Sequence, residues 1–268
     1  MKRVSEQTRS SRLVWLFLRV GVLNELQYRA NFFIQLAQSL LTLGAGLAGL
    51  ALVFSRTDDL DGWTEAELLV VMGVFTAMGG IVRTFVQPSM QRLLEDIRMG
   101  TLDFTLTKPA DAQVLVSVRE PRIWSGVDIL VGVIVLAYAV ARLDDGPGID
   151  NLLWFLAMTV LGALMVYCFW LVMTTGAFWL VRMDEVNELF QGVYRAGQYP
   201  IGVYPGWLRF GLTFVIPLAF AITVPAEAVT SRLGWETITL AAAVALGLVI
   251  LSRAFWKLGL RHYSGASA

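Results

Sequence analysis

Apolar positions along the chain gather into long blocks separated by polar, charged connections. A helix rising 1.5 Å per residue needs about 20 apolar residues to cross a roughly 30 Å hydrocarbon core. Six blocks come near that length, over residues 32–54, 66–87, 123–141, 152–181, 210–224 and 237–254. The fifth is the weakest, because Pro217 interrupts it and Pro225 ends it. The fourth is long enough to project beyond a bilayer. Ahead of the first block, Leu13, Leu16, Phe17, Val20 and Leu23 recur at helical spacing. Residues 11–29 therefore read as an amphipathic helix lying in the inner interface, with a soluble N-terminal helix as the alternative.

The cationic residues give these spans a direction. Cytoplasmic loops hold the excess of Lys and Arg. Segments 2–29, 92–122, 182–209 and 253–261 together carry 17 of them, against Arg56, Arg142 and Arg232 on the opposite set, with Arg83 inside the second span. Both termini are thus expected in the cytoplasm. Tryptophans 15, 63, 154, 179, 207, 235 and 256 fall near predicted span ends, as interfacial anchors do. The expectation is an all-α integral membrane protein of six transmembrane helices. It forms a single domain over 1–268, with a cytoplasmic and interfacial segment at 1–31, a cytoplasmic region at 88–122 and an outer connection at 225–236.

Composition narrows the chemistry. Only 16% of residues are charged, mean hydropathy is +0.63 and formal net charge is zero, so no nucleic-acid partner is expected. The basic N-terminus is not followed promptly by a short apolar core and a small-residue cleavage site, so it does not read as a signal peptide. One Cys and one His, Cys168 and His262, offer neither an internal disulfide nor a metal cluster. No G-x-x-x-x-G-K-[ST], H-E-x-x-H or G-x-S-x-G occurs, so ATP binding through a P-loop in this chain, zincin chemistry and a serine elbow are not expected. Intramembrane proteolysis by paired aspartates needs two in spans, and only Asp128 lies clearly inside one. Arg83 and Asp128, both near the inner end, are too few for a dedicated proton path, and they are candidates to pair across spans two and three. Separate snorkelling is the alternative. Glycines 44, 46, 49, 73, 79 and 80 in the first two spans are expected to serve close helix packing.

The longest inner connection, 91–120, exceeds what joining two spans requires. Residues 91–99 place Leu93, Leu94 and Ile97 on one side of a short helix and Arg92, Glu95, Asp96 and Arg98 on the other, with Gly100 placed to end it. The run 101–106 alternates Leu102, Phe104 and Leu106 with Thr101, Asp103 and Thr105, compatible with an extended segment or a second short helix. Lys108 and Pro109 break the run, and a further helix is expected from Ala110. Such a loop suits insertion into a groove on a cytoplasmic partner. An interfacial helix resting on lipid is the structural alternative.

The run LLEDIRMGTLDFTLTKPAD resembles the first cytoplasmic loop of ABC transporter permeases of the type-2 exporter class. In particular it resembles a six-span branch with the motif I-x-x-G-x-L-D-x-x-L-x-x-P, here Ile97, Gly100, Leu102, Asp103, Leu106 and Pro109. The stretches YRAGQYPIGVYPGWLR and IPLAFAITVPAEAV are similar to that branch too. The resemblance implies a permease without catalytic residues or a cofactor of its own, in a bacterial-type inner membrane, paired with an identical or paralogous second permease. Two P-loop ATPase subunits, carrying ATP and Mg, would dock through Leu93, Leu94, Glu95, Asp96, Ile97, Arg98, Gly100, Leu102, Asp103, Lys108 and Pro109, and 183–204 would add a smaller contact. Pro217, Pro225 and Glu227 would shape a gate dipping into the outer membrane face. The expected cargo is hydrophobic or amphipathic: a drug, lipid, peptide or glycan precursor. Two alternatives stand beside this reading, a non-transporting scaffold and a lipid-modifying enzyme.

Overall fold

The computed structural model describes residues 29–57, 59–143, 146–179 and 190–263. All of the expected interfacial helix except Arg29 lies outside the described residues, as does the far end of the fourth predicted span. Among the described residues the chain is helical, with one isolated bridge between Leu60 and Trp63.

Helix α1 covers Arg29–Phe54. A tight turn follows, in which Asp61 and Gly62 both take positive φ and Leu60 and Trp63 exchange backbone hydrogen bonds of 3.0 Å. Thr64 then caps α2, Glu65–Ile81, in a capping box with Glu67. A π-helical turn, Val82–Val86, passes directly into α3, Gln87–Arg98, so one continuous rod of 34 residues runs from Glu65 to Arg98. Proline explains the irregular turn. Pro88 has no N–H to give the carbonyl of Thr84 four residues back. That carbonyl instead accepts from the backbone N–H of Arg122 at 2.9 Å, which ties the start of the third span to the rod.

Two short helices, α4 (Asp103–Leu106) and α5 (Ala112–Ser117), fill the loop after the rod. Helix α6, Val127–Val140, returns along the rod. Helix α7 covers Ile149–Thr175 and α10 covers Trp235–His262. Between them lie α8 (Gly206–Phe210) and α9 (Val224–Val229), which continue through π-helical turns into a pair bent by 75° between Val215 and Ala219. Among the described residues, five helices are long and apolar enough to cross a bilayer, and the bent pair makes up to six.

Two faces of the bundle are distinguishable. One collects the ends of the rod and α10 with Arg98, Arg119 and Lys257; the other carries the acidic turn at Asp59 and Asp61. The connection expected on the basic face at 183–204 does not stay there. Gln191 donates to Gln87 at 3.1 Å, Tyr194 to the carbonyl of Phe75 at 2.9 Å, and Gly202 packs directly on Asp61. Glu65 and Gln87 are about 33 Å apart along the rod. The stretch 191–202 therefore climbs from the depth of Gln87 to the acidic face. The bent pair occupies the place predicted for the fifth span, but both of its ends stay on the acidic face. Arg209 at its start and Arg232 beyond its end are the charged neighbours of Glu227. Its middle reaches Gly162 of α7, where a Cβ would lie 2.6 Å from the Cα of Ala221. The pair is a hairpin dipping about halfway in, so Arg209 leaves the basic set.

Core packing centres on the rod. Val70, Val71, Leu68 and Met78 are fully buried, while Leu41 of α1, Ile134 of α6 and Ile250 of α10 point outward, as expected where lipid is the solvent. Helices α2 and α6 touch backbone to backbone through glycine. A Cβ on Gly73 would meet the backbone N of Leu136 at 2.8 Å, one on Gly80 the N of Ile129 at 2.6 Å, and one on Gly132 the backbone of Ala77. Gly44 of α1 has open space around it, so its expected packing role is absent within the protomer. Gly132→Leu should lower stability by about 1–3 kcal/mol through overpacking, against no measurable change for Gly44→Ala, read as thermal midpoints of the detergent-solubilised chain.

Candidate functional site: a docking loop and a membrane cavity

The loop after the rod is held by a glycine and a carboxylate. Gly100 takes φ +68°, and Thr101 N–H closes on the carbonyl of Asp96 at 2.9 Å while Gly100 N–H reaches Ile97, the two bonds of a Schellman cap. Asp96 is only 2% exposed. Its carboxylate accepts from Thr101 Oγ1 at 2.9 Å, pairs with Arg119, and lies 3.3 Å from Nε of Arg92. Arg119 also donates to Thr105 at 3.3 Å. One buried acid thus binds the end of the rod, α4 and the segment entering the third span.

The expected docking residues therefore divide. Leu93, Asp96 and Leu102 are buried inside the chain, and Leu94, Ile97, Gly100, Asp103 and Lys108 are half-buried. Burial and nearby Arg119 push the Lys108 ammonium below its usual range. Glu95, Arg98 and Pro109 are exposed. Within the run 101–106, residues 103–106 form helix α4, and Leu102 and Thr105, three apart, both face inward. That leaves Phe104 73% and Met99 74% exposed beyond the basic end of the rod. Further along, Asp111 caps α5 by accepting from Gln113 N–H at 2.9 Å and pairs with Arg253 of α10, whose hydrogen bond holds the Asp111 carboxyl below the usual range. Ser117 lies 2.7 Å from the hydroxyl of Tyr167 on α7. The loop is thereby fastened to both the fourth and the last spans.

Higher in the bundle, Arg83 and Asp128 form an ion pair. Nε and Nη2 of Arg83 lie 2.9 and 2.8 Å from Asp128 Oδ2, and Gln35 of α1 donates to the same oxygen at 3.1 Å. They sit at the foot of a cavity of about 620 Å³ between α1, α2, α6 and the climbing segment. Two polar faces line it. Gln35, Gln38, Ser39 and Thr42 follow i, i+3, i+4, i+7 spacing on α1, and Gln191, Tyr194, Arg195 and Gln198 repeat the same spacing. Sequence reading missed both faces. The spacing was the available signal in the first span, where five polar residues are diluted by apolar ones over 24 residues.

On the acidic face, Arg232 clamps the hairpin exit to the head of the rod. It reaches both oxygens of Glu67 at 2.8 and 2.7 Å, the carbonyl of Gly62 at 2.6 Å and the ring of Trp63 at 4.8 Å. Pro217 occupies the break in the hairpin, Pro225 is buried at the start of α9, and Glu227 lies within electrostatic reach of Arg209 and Arg232.

A family model described as ABC-2 family transporter protein matches residues 40–267. The chain belongs to the ABC-2 transporter family. No curated protein and no solved structure matches it. As an ABC-2 permease it is a multi-pass membrane protein and the membrane component of an ABC transporter, which associates with an ATP-binding component. The resemblance read from the loop thus leads to the same family. Among the described residues, no three His, Cys, Asp or Glu side chains come together to hold a metal ion.

Removing a buried acid while its cations remain is costly. Asp96→Ala in this ABC-2 permease should cost about 2–3 kcal/mol, since Arg119 keeps some access to water, whereas Glu95→Ala on the exposed side should cost under about 0.5 kcal/mol. Thermal unfolding in detergent checks both.

Proposed function

We propose that the chain is the permease of an ATP-driven exporter, with its basic face in the cytoplasm of a bacterial-type inner membrane. Two such permeases, identical or paralogous, would work with two P-loop ATPase subunits that carry ATP and Mg. The observation that supports this most is the end of the rod. Residues 87–98 extend the second span by about 16 Å past the depth of Gln87. At that end, Met99 and Phe104 stand out of water-facing backbone that is otherwise pinned by Asp96. Large apolar side chains on a rigid, polar-rimmed support are what a groove-filling contact needs. Glu95, Arg98 and Pro109 form its exposed rim.

In this reading, movement of the ATPase is delivered to Met99 and Phe104 and passes along an unbroken helix to the cavity. The π-helical turn carrying Arg83 is the place where the rod can change geometry, as such turns often are at functional sites. The hairpin holding Pro217, Pro225 and Glu227, packed on α7 and the rod toward the acidic face, serves as the outer gate. Cargo with an apolar part enters past the lipid-facing surface of α1.

The paired replacement Met99→Asp and Phe104→Asp should leave the chain folded, because both side chains are exposed, and should reduce recovery of a P-loop ATPase at least about tenfold in mild-detergent affinity purification. Unchanged recovery would remove the loop as the docking site. Recovery of an ATPase whose hydrolysis the chain does not alter would favour the scaffold reading.

A further inference from the structure

Among the described residues, the cavity between α1, the rod and the climbing segment is lined by more cationic than anionic charge. Of the described residues, Arg83, Asp128 and Arg195 are the ionisable side chains other than tyrosine that line it. Asp128 is buried and already engaged by Arg83 and Gln35. Arg195 has no carboxylate against it among the described residues, and it faces the same space as Gln38, Gln191 and Gln198. An arginine at membrane depth without a counter-ion is unfavourable, and such residues mark ligand pathways. Amide side chains on two sides of it supply further donors. The hydroxyl of Ser39, buried in the wall, has no partner either. The volume of about 620 Å³ suits a head group of ordinary ligand size.

The rim of the cavity points to what accompanies that head group. Leu41 lines it and is itself 74% exposed, next to Leu40, Ile34 and Phe33 on the lipid-facing side of α1. A molecule seated with its polar end beside Arg195 can leave an apolar tail in lipid without crossing a polar barrier. We propose that this cavity binds the anionic head group, phosphate or carboxylate, of an amphiphile, with Arg195 as its charge partner. The inference builds on the permease reading and names the class of its cargo.

Native mass spectrometry of the full chain in mild detergent tests it, with phosphatidylglycerol, phosphatidylcholine or inorganic phosphate added. The expected result is retention of phosphatidylglycerol over phosphatidylcholine. Arg195→Gln should weaken that retention by roughly tenfold, and Arg195→Lys should keep most of it. Gln38→Glu places a like charge against the ligand from exposed α1, and should weaken retention independently of any folding defect at position 195. Arg142→Gln, outside the cavity, should change nothing. Arg195-dependent binding of inorganic phosphate with no preference for phosphatidylglycerol would retain the anion site but overturn the amphiphile. Equal retention of both lipids, or phosphatidylglycerol retention indifferent to Arg195→Gln and Gln38→Glu, would overturn the proposal. Binding is read here without the ATPase, so failure would leave the docking loop standing.

Discussion

The unbroken helix from Glu65 to Arg98 is the constraint on which the rest of the structure depends. At about 50 Å it is longer than a hydrocarbon core is thick, so one rigid element belongs to both membrane and water. Its length serves only if its ends are fixed. Arg232 fastens the head through Glu67 and Gly62, and Asp96 fastens the tail through Arg119 and Thr101. Its flank is fixed by glycine. Gly73, Gly80 and Gly132 bring α2 and α6 so close that no side chain fits between their backbones there. In lipid, where burying apolar surface brings little net gain, such close packing is a principal source of helix association.

The same rod sets where polar chemistry occurs. Pro88 disturbs the hydrogen-bond ladder, the π-helical turn follows, and Arg83 projects from that turn onto Asp128. The ion pair marks the foot of the cavity, and the climbing segment 191–202 walls it. The dipping hairpin lies above, between α7 and the acidic face. Loop and cavity thus lie along the rod, and the hairpin packs beside it against α7. The family and the all-helical membrane fold are established; coupling, direction and cargo are the proposal built on that arrangement.

Much of this was legible in the sequence where one strong signal acted alone. The apolar blocks mark the straight spans, Gly100 ends its helix through a positive φ, and the loop residues lead to the family. The misreadings occurred where two signals competed. Residues 191–202 cross toward the acidic face, yet Gln191, Arg195 and Gln198 on one side of that stretch lower its hydropathy and make it resemble a connection. Residues 210–224 are apolar enough to pass for a span, and the 75° bend together with the shared nearness of Arg209 and Arg232 to Glu227 reveals that the chain turns back. Asp96 was placed on the polar side of its helix by periodicity. Its burial depends on Arg119, 23 residues later, and no local pattern encodes that partner. Phe104 and Met99 emerged as the exposed pair only once Leu102 was seen to face inward.

The central claim is that the basic end of the rod receives a cytoplasmic ATPase. Photocrosslinking in native membranes from a reactive residue at position 104, compared with one at position 142 on the acidic face, tests it most directly. The account predicts covalent capture of a P-loop ATPase from position 104 and none from position 142. Absence of that ATPase at position 104, with other membrane complexes preserved, or its capture from position 142 instead, would contradict it.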